Sequence, residues 1–188
     1  MKTVVLIGDS IRMGYENTVR QTLRGLAEVR SPEDNGGNSG NVLCHLEEWV
    51  TALRPHVVHV NCGLHDLKTE FGQTQRAVPL DEYSGNVKRI LSLLKAGTDA
   101  VVLWASTTPV NETLHHKNKP FDRFERDVAA YNSAAAEAAG ELGVPINDLY
   151  SCINRIGPDR YLTSDGVHFT QEGYELLGAA VAAFIKPY

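Results

Sequence analysis

Four short apolar runs rich in β-branched residues alternate along this chain with longer stretches of helical periodicity. The runs cover residues 3–7, 56–62, 100–106 and 144–148, and each is closed by polar or glycine residues. Short runs of this composition are typical of fully buried parallel strands. A weaker candidate strand covers residues 27–30. Because strand alternates with helix throughout, we predict right-handed βαβ units and a sheet covered on both faces.

Three stretches between and after these runs place apolar residues on one face of a helix. Their stripes are Tyr83, Val87, Ile90, Leu91 and Leu94; Phe121, Phe124, Val128, Tyr131 and Ala135; and Tyr174, Leu177, Val181, Phe184 and Ile185. Thr170 is a good N-cap for the last helix. The sequence therefore predicts an α/β fold, a three-layer flavodoxin-like sandwich of about five parallel strands, in a single domain covering residues 1–188.

Two connections are long for this architecture, residues 64–78 and 107–119. Both follow the carboxyl end of a predicted strand, so we expect them to border the crevice at that edge of the sheet. Long connections in compact domains are usually functional or mobile. The second contains His115 and His116, which we interpret as loop residues because no carboxylate or cysteine stands at metal-ligand spacing.

The charge and cysteine content narrow the classes of function. The net charge of -5 and the pI near 5.8 argue against a nucleic-acid or anionic-membrane surface, which needs clustered Lys and Arg. No apolar run approaches the length of about 18 residues that indicates a membrane span. Cys44, Cys62 and Cys152 are an odd number in a chain too large to need disulfides, which favours reduced thiols and a cytoplasmic setting.

Two polar motifs stand at the ends of the chain. Gly8-Asp9-Ser10 directly follows the first predicted strand, and Asp165-Gly166-Val167-His168 precedes the last predicted helix. Either motif alone is more typical of a turn. Ligands of open α/β sheets bind outside the carboxyl ends of the strands, and both motifs are expected there. The pair therefore predicts a nucleophile and a base that meet at this edge.

With these motifs the chain resembles the GDSL esterases in their SGNH hydrolase form. That family has four sequence blocks, which contribute a serine, a glycine, an asparagine and a histidine in this order. The matching segments here are residues 8–10, 38–41, 63–66 and 165–168, and the resemblance extends from residue 4 to about residue 178. It implies the flavodoxin-like fold and a carboxylic ester hydrolase activity.

The residues themselves can be assigned to the steps of acyl transfer. The reaction needs a nucleophile, a base, a group that orients the base and donors for the oxyanion. Ser10 is the candidate nucleophile, His168 the base, and Asp165 the carboxylate that fixes the imidazole tautomer. The three-residue spacing lets Asp165 fold back onto His168 within one turn.

The resemblance further implies an oxyanion hole made of the backbone N–H groups of Ser10 and Gly40 and a side-chain donor from the third block. A glycine at position 40 lets backbone approach the substrate closely, although a purely conformational role is the alternative. The third block departs from the family's Gly-x-Asn-Asp, since His65 stands at the asparagine position. Neutral imidazole donates one N–H, so His65 is a candidate donor. Alternatively, it caps backbone carbonyls or pairs with Asp66.

We therefore predict a serine-dependent esterase for small-molecule carboxylic esters, among them O-acetyl groups on carbohydrate, with no cofactor. A lysophospholipase or thioesterase of the same fold is the first alternative. A metal-dependent hydrolase is another, using Asp9, His65, Asp66, Asp165 and His168, although their spacing matches no common metal signature. A third is a binding module that lost activity through the change at His65. We interpret Asp9 and Asp66 as scaffold residues that accept N–H groups.

Overall fold

A five-stranded parallel sheet forms the centre of the computed structural model, which describes residues 1–188. Its strands are β1 (Lys2–Ile7), β2 (Ala27–Arg30), β3 (Val57–Val60), β5 (Val101–Ala105) and β7 (Ile146–Asn147). They lie in the order β2-β1-β3-β5-β7, which is the flavodoxin-like order. The predicted fold class is therefore confirmed. The last strand is shorter than its apolar run, with only two residues in the ladder.

Seven α-helices cover the sheet. They are α1 (Ser10–Thr22), α2 (Ser39–Trp49), α3 (Leu80–Gly97), α4 (Glu112–Asn118), α5 (Glu125–Glu141), α6 (Leu149–Ile156) and α7 (Gln171–Ile185). Helix α7 packs against α1 and α6, while α3 packs against α2 and α5. Buried apolar side chains form one continuous cluster of 46 residues, so the sheet and both helix layers share a single core. None of the helices is both long enough and apolar enough to cross a membrane.

Polar side chains at the helix starts fix where the chain leaves the sheet edge. The side chain of Asp9 accepts from Ile11 N at the start of α1, and that of Asn38 accepts from Asn41 N at the start of α2. Thr170 caps α7 as predicted. Such caps satisfy N–H groups that the first turn of a helix leaves without a partner.

The predicted helical stripe that starts at Phe121 is wrong at its beginning. Phe121 lies in a short strand, β6 (Phe121–Asp122), which pairs antiparallel with β4 (Thr69–Glu70). Phe124 keeps an extended backbone, and α5 begins only at Glu125. Hydrogen bonds to a distant strand override the local periodicity here, since Phe121 is paired with Glu70.

The interpretation of the histidine doublet as loop is also wrong. Both histidines lie in α4, whose first turn is capped by the side chain of Asn111 accepting from Leu114 N. The two long connections thus carry structure of their own. Residues 64–78 contain β4, and β6 follows directly after residues 107–119. The antiparallel pair of β4 and β6 therefore joins the two connections.

Candidate active site

Ser10 is the first residue of α1 and is separated from the end of β1 by Gly8 and Asp9. The turn between them is tight: a Cβ on Gly8 would lie 2.7 Å from Arg12 Cβ. The Gly8 carbonyl accepts from Gly36 N at 3.0 Å, and Asp9 Oδ1 accepts from Ile11 N at 2.9 Å. The half-buried serine is therefore held at the carboxyl edge of the sheet by its neighbours on both sides.

The structure brings together the three side chains that the sequence nominates as nucleophile, base and orienting group. His168 Nε2 lies 2.8 Å from Ser10 Oγ, and His168 Nδ1 lies 2.6 Å from Asp165 Oδ2. Since a carboxylate only accepts, Nδ1 carries the proton and Nε2 presents its lone pair to the serine hydroxyl. The arrangement can accept a proton from Ser10 and keep the resulting imidazolium paired.

Asp165 is held as an anion by a dense set of donors. Its Oδ1 accepts from Thr163 Oγ1 at 2.9 Å, from Val167 N at 3.0 Å and from His168 N at 2.9 Å. Lys119 Nζ lies 3.2 Å from Oδ2. Burial alone would raise the pKa of Asp165, but the hydrogen bonds from His168, Val167 and Thr163 outweigh it and hold the pKa well below its usual range.

Helix α4 supports the turn that carries Asp165. The backbone of Gly166 has φ 72°, and a Cβ there would lie 2.4 Å from Asn111 O. The buried His115 places Nδ1 3.0 Å from the carbonyl oxygen of Asp165. Sequence analysis missed both His115 and Lys119, because nothing local in residues 107–119 indicates that this segment packs against residue 165.

The N-terminus of α2 is fixed beneath the site by Asp66. Both oxygens of its buried carboxylate lie near Ser39 N, at 2.9 and 3.1 Å. Burial raises the pKa of Asp66 to about 6, although the bonds from Ser39 act in the opposite direction. Gly40 follows in the first turn of α2, where a helix offers its N–H no acceptor. An added Cβ there would meet only Asn38 Oδ1, at 3.5 Å, so no close contact requires a glycine.

His65 lies in a turn that follows β3. The turn is closed by hydrogen bonds from Asp66 N and Leu67 N to Gly63 O, at 2.9 and 3.0 Å. The structure does not pair His65 with Asp66, whose carboxylate accepts from Ser39. The imidazole is half-buried and makes no hydrogen bond to the protein. Burial lowers the pKa of His65, and the charges of Arg123 and Lys68 add to this effect, while the charge of Asp9 acts in the opposite direction.

The five residues of the metal alternative are not arranged as a ligand set. No group of three or more His, Cys, Asp or Glu side chains is placed to hold a metal ion. Asp9 and Asp66 instead accept backbone N–H groups at helix starts, as the scaffold interpretation expects. A polar cavity of about 790 Å³ lies away from the serine, at the amino ends of the strands, where Lys2, Arg54 and His56 line it. Its lining residues include no nucleophile hydrogen-bonded to a base and a carboxylate, so we place the candidate site at Ser10.

The fold and the site together define a class of protein. It is a three-layer α/β fold in which a serine at the start of the first helix is hydrogen-bonded to the histidine of a histidine and aspartate pair. Residues 6–176 match the GDSL-like Lipase/Acylhydrolase family, and the chain belongs to this family.

Individual relatives agree with this assignment. The GDSL esterase/lipase CPRD49 of Arabidopsis thaliana is 27% identical over 143 residues, which cover 72% of this chain and 56% of that protein. The chain thus spans little more than half the length of this relative. The crystal structure of a lipase/acylhydrolase from Enterococcus faecalis has a TM-score of 0.84 at 23% identity, covering 100% of this chain and 96% of that one. Axe2, an acetylxylan esterase from Geobacillus stearothermophilus, has a TM-score of 0.77 at 18% identity over 97% and 93% of the two chains.

Proposed function

We propose that this protein is a serine-dependent esterase that cleaves small carboxylic esters through Ser10. The observation that carries the proposal is the continuous series from Ser10 Oγ to His168 Nε2, at 2.8 Å, and from His168 Nδ1 to Asp165 Oδ2, at 2.6 Å. In a chain of this family, the series supports a catalytic triad.

The geometry supports a two-step mechanism. Ser10 Oγ attacks the ester carbonyl carbon while His168 Nε2 takes its proton, and Asp165 stabilises the imidazolium that forms. The tetrahedral intermediate then expels the alcohol, which receives the proton from His168. In the second step His168 takes a proton from water, which attacks the acyl-serine. The intermediate then releases the acid, and His168 returns the proton to Ser10 Oγ. Every proton transfer uses the same nitrogen, and no cofactor takes part.

For the developing oxyanion we propose three donors. The N–H groups of Ser10 and Gly40 lie in first helical turns, where no helical carbonyl competes for them. The third donor is the N–H of the His65 imidazole, in the position of the family's asparagine. Its ring has no protein partner, and its lowered pKa keeps it neutral near pH 7, so that one nitrogen donates and the other accepts.

The space around Ser10 favours a small acyl group and a bulkier alcohol. Ile11, the residue after Ser10, and Leu64 help to line a cavity of about 10 Å³, which has room for about one water molecule and not for an alkyl chain. By contrast, the His168 side chain is 35% exposed, so the leaving-group side opens to solvent. We propose acetyl esters, including O-acetyl groups on carbohydrate, in preference to the long acyl chains of a lysophospholipase. The likeness to Axe2 is compatible with this choice.

Covalent labelling tests the proposal directly. A fluorophosphonate probe should label the wild-type protein and leave the Ser10→Ala variant unlabelled. Purified protein should cleave p-nitrophenyl acetate much faster than p-nitrophenyl palmitate, and should release acetate from acetylated xylo-oligosaccharides. Absence of labelling would favour a binding module, whereas activity lost to EDTA and restored by a metal would favour the metal-dependent alternative. The cytoplasmic setting stays a prediction, which fractionation of cells that express the gene would test.

A further inference from the structure

Arg123 is a buried cation without an ion-pair partner. It follows β6 and is only 6% exposed, yet its guanidinium forms no salt bridge with any carboxylate of the chain. Its single hydrogen bond runs from Nε to Leu64 O, at 2.6 Å. The two Nη groups donate to no protein acceptor, and neither is among the fully buried atoms that lack a partner, so both reach solvent.

Such a placement is costly for the free protein. Moving a charge out of water is unfavourable unless a counter-charge and hydrogen bonds replace the lost hydration. The cost is visible in the pKa of Arg123, which burial lowers to about 10 while the more distant charges of Asp9 and Asp165 offset part of the effect. A buried guanidinium with two free donor groups therefore needs an explanation that the fold alone does not supply.

The surroundings place this guanidinium in the wall of the candidate site. Its Nε is bound to the carbonyl of Leu64, the residue before His65, and its charge acts on His65 and Asp165. The wall therefore carries Arg123 beside the residue proposed to bind the oxyanion.

A second cation shares this wall. The Phe121 ring has the Arg123 guanidinium carbon 5.0 Å from its centroid and Lys68 Nζ 4.4 Å from it. Lys68 Nζ also pairs with Glu70 Oε1 at 2.6 Å, so Arg123 is the cation of this wall that has no carboxylate partner.

We propose that Arg123 is a specificity-determining residue that binds a carboxylate on the alcohol part of the ester. The inference rests on the proposed esterase function and adds a substrate class to it: acetyl esters of hydroxy acids, including acidic sugars. A guanidinium binds a carboxylate through two parallel N–H donors, and the free Nη groups of Arg123 supply such donors. We assign the charge to the alcohol because the cavity that Ile11 and Leu64 line, next to Ser10 in sequence, measures about 10 Å³ and is too small for a charged acyl group.

A pair of aryl acetates that differ only in charge tests this subsite. The pair is 4-acetoxybenzoate and 4-acetoxybenzamide, compared by kcat/KM. The wild type should prefer the acid by about tenfold or more, which is the range of a charge-assisted hydrogen bond. In Arg123→Gln this preference should disappear, measured as the ratio of the two kcat/KM values, in which a change common to both esters cancels. Arg123→Lys should keep part of the preference, because lysine retains the positive charge but lacks the two parallel N–H donors of the planar guanidinium.

The matched control is Arg126→Gln, which removes an exposed arginine three residues further along the same segment. This variant should keep the wild-type preference. A wild type that cleaves both esters equally, or an Arg123→Gln variant that still prefers the acid, would overturn the proposal while leaving the esterase function intact.

Binding without turnover gives an answer that does not depend on catalysis. In the Ser10→Ala background, calorimetry should find 4-acetoxybenzoate bound about tenfold more tightly than the amide, and Arg123→Gln should remove the difference. Equal affinities for the two esters would overturn the proposal. If wild-type protein cleaves neither ester and resists the fluorophosphonate, the esterase function fails instead, and the binding comparison still decides the role of Arg123.

Discussion

Replacement of His65 tests the least conventional part of the proposed site. If the imidazole N–H binds the oxyanion, His65→Ala should lower kcat by about 10²–10³, or about 2.7–4 kcal/mol of transition-state stabilisation, with a small change in KM. His65→Asn should recover most of the lost kcat, because the amide N–H of asparagine can then donate to the oxyanion in place of the imidazole N–H.

The structure allows this effect to be separated from a loss of stability. The His65 ring forms no hydrogen bond to the protein and is half-buried, and its turn is closed by backbone bonds to Gly63 O. We therefore expect His65→Ala to change the free energy of unfolding by less than about 1 kcal/mol.

The assay is p-nitrophenyl acetate hydrolysis at pH 7, combined with urea unfolding of the same preparations. Equal kcat values for wild type and His65→Ala would refute the reasoning. So would an His65→Asn variant as inactive as His65→Ala.

Three further substitutions test the supports of the site. Asp165→Asn should lower kcat on p-nitrophenyl acetate by about 10⁴, because an amide no longer enforces the Nδ1–H tautomer of His168. Gly166→Ala should destabilise the protein to urea by about 1–3 kcal/mol or more, since the new Cβ meets a backbone carbonyl at 2.4 Å on a backbone with φ 72°. The pKa of Asp66 is raised to about 6, so the folded state binds more protons than the unfolded state between pH 4 and 6. The free energy of unfolding of the wild type should therefore fall by up to about 3 kcal/mol as the pH rises through this window. Asp66→Asn should lack that fall in urea unfolding.

A control variant or a contradicting result is available for each of these predictions. Gly143 also has positive φ, at 63°, but nothing lies within 4 Å of an added Cβ, so Gly143→Ala should cost less than Gly166→Ala. Equal losses would mean that the contact with α4 is unimportant. Parallel pH profiles for wild type and Asp66→Asn would exclude Asp66 as the titrating group. An Asp165→Asn variant with wild-type kcat would remove this carboxylate from the mechanism.

Much of the fold could be predicted because its signals are local. The buried strands are β-branched runs, and the stripe that starts at Tyr83 falls inside α3, because burial on one face dictates the spacing of apolar residues. The parallel direction of the strands follows from the alternation of strand and helix. The prediction failed where pairing between distant segments overrides local preference, as at Phe121 in β6, and where a short capped helix occupies a segment interpreted as loop.

By itself, then, the sequence determined the α/β sandwich and nominated Ser10, His168 and Asp165, because the spacing of buried residues and short motifs depend only on residues close together in the chain. The tertiary structure alone decided their environment. It brought together two side chains that are 158 residues apart in sequence, set His115 under the Asp165 turn, and left Arg123 unpaired in the wall beside His65. Such contacts depend on how whole elements pack, and no local pattern of residues encodes them.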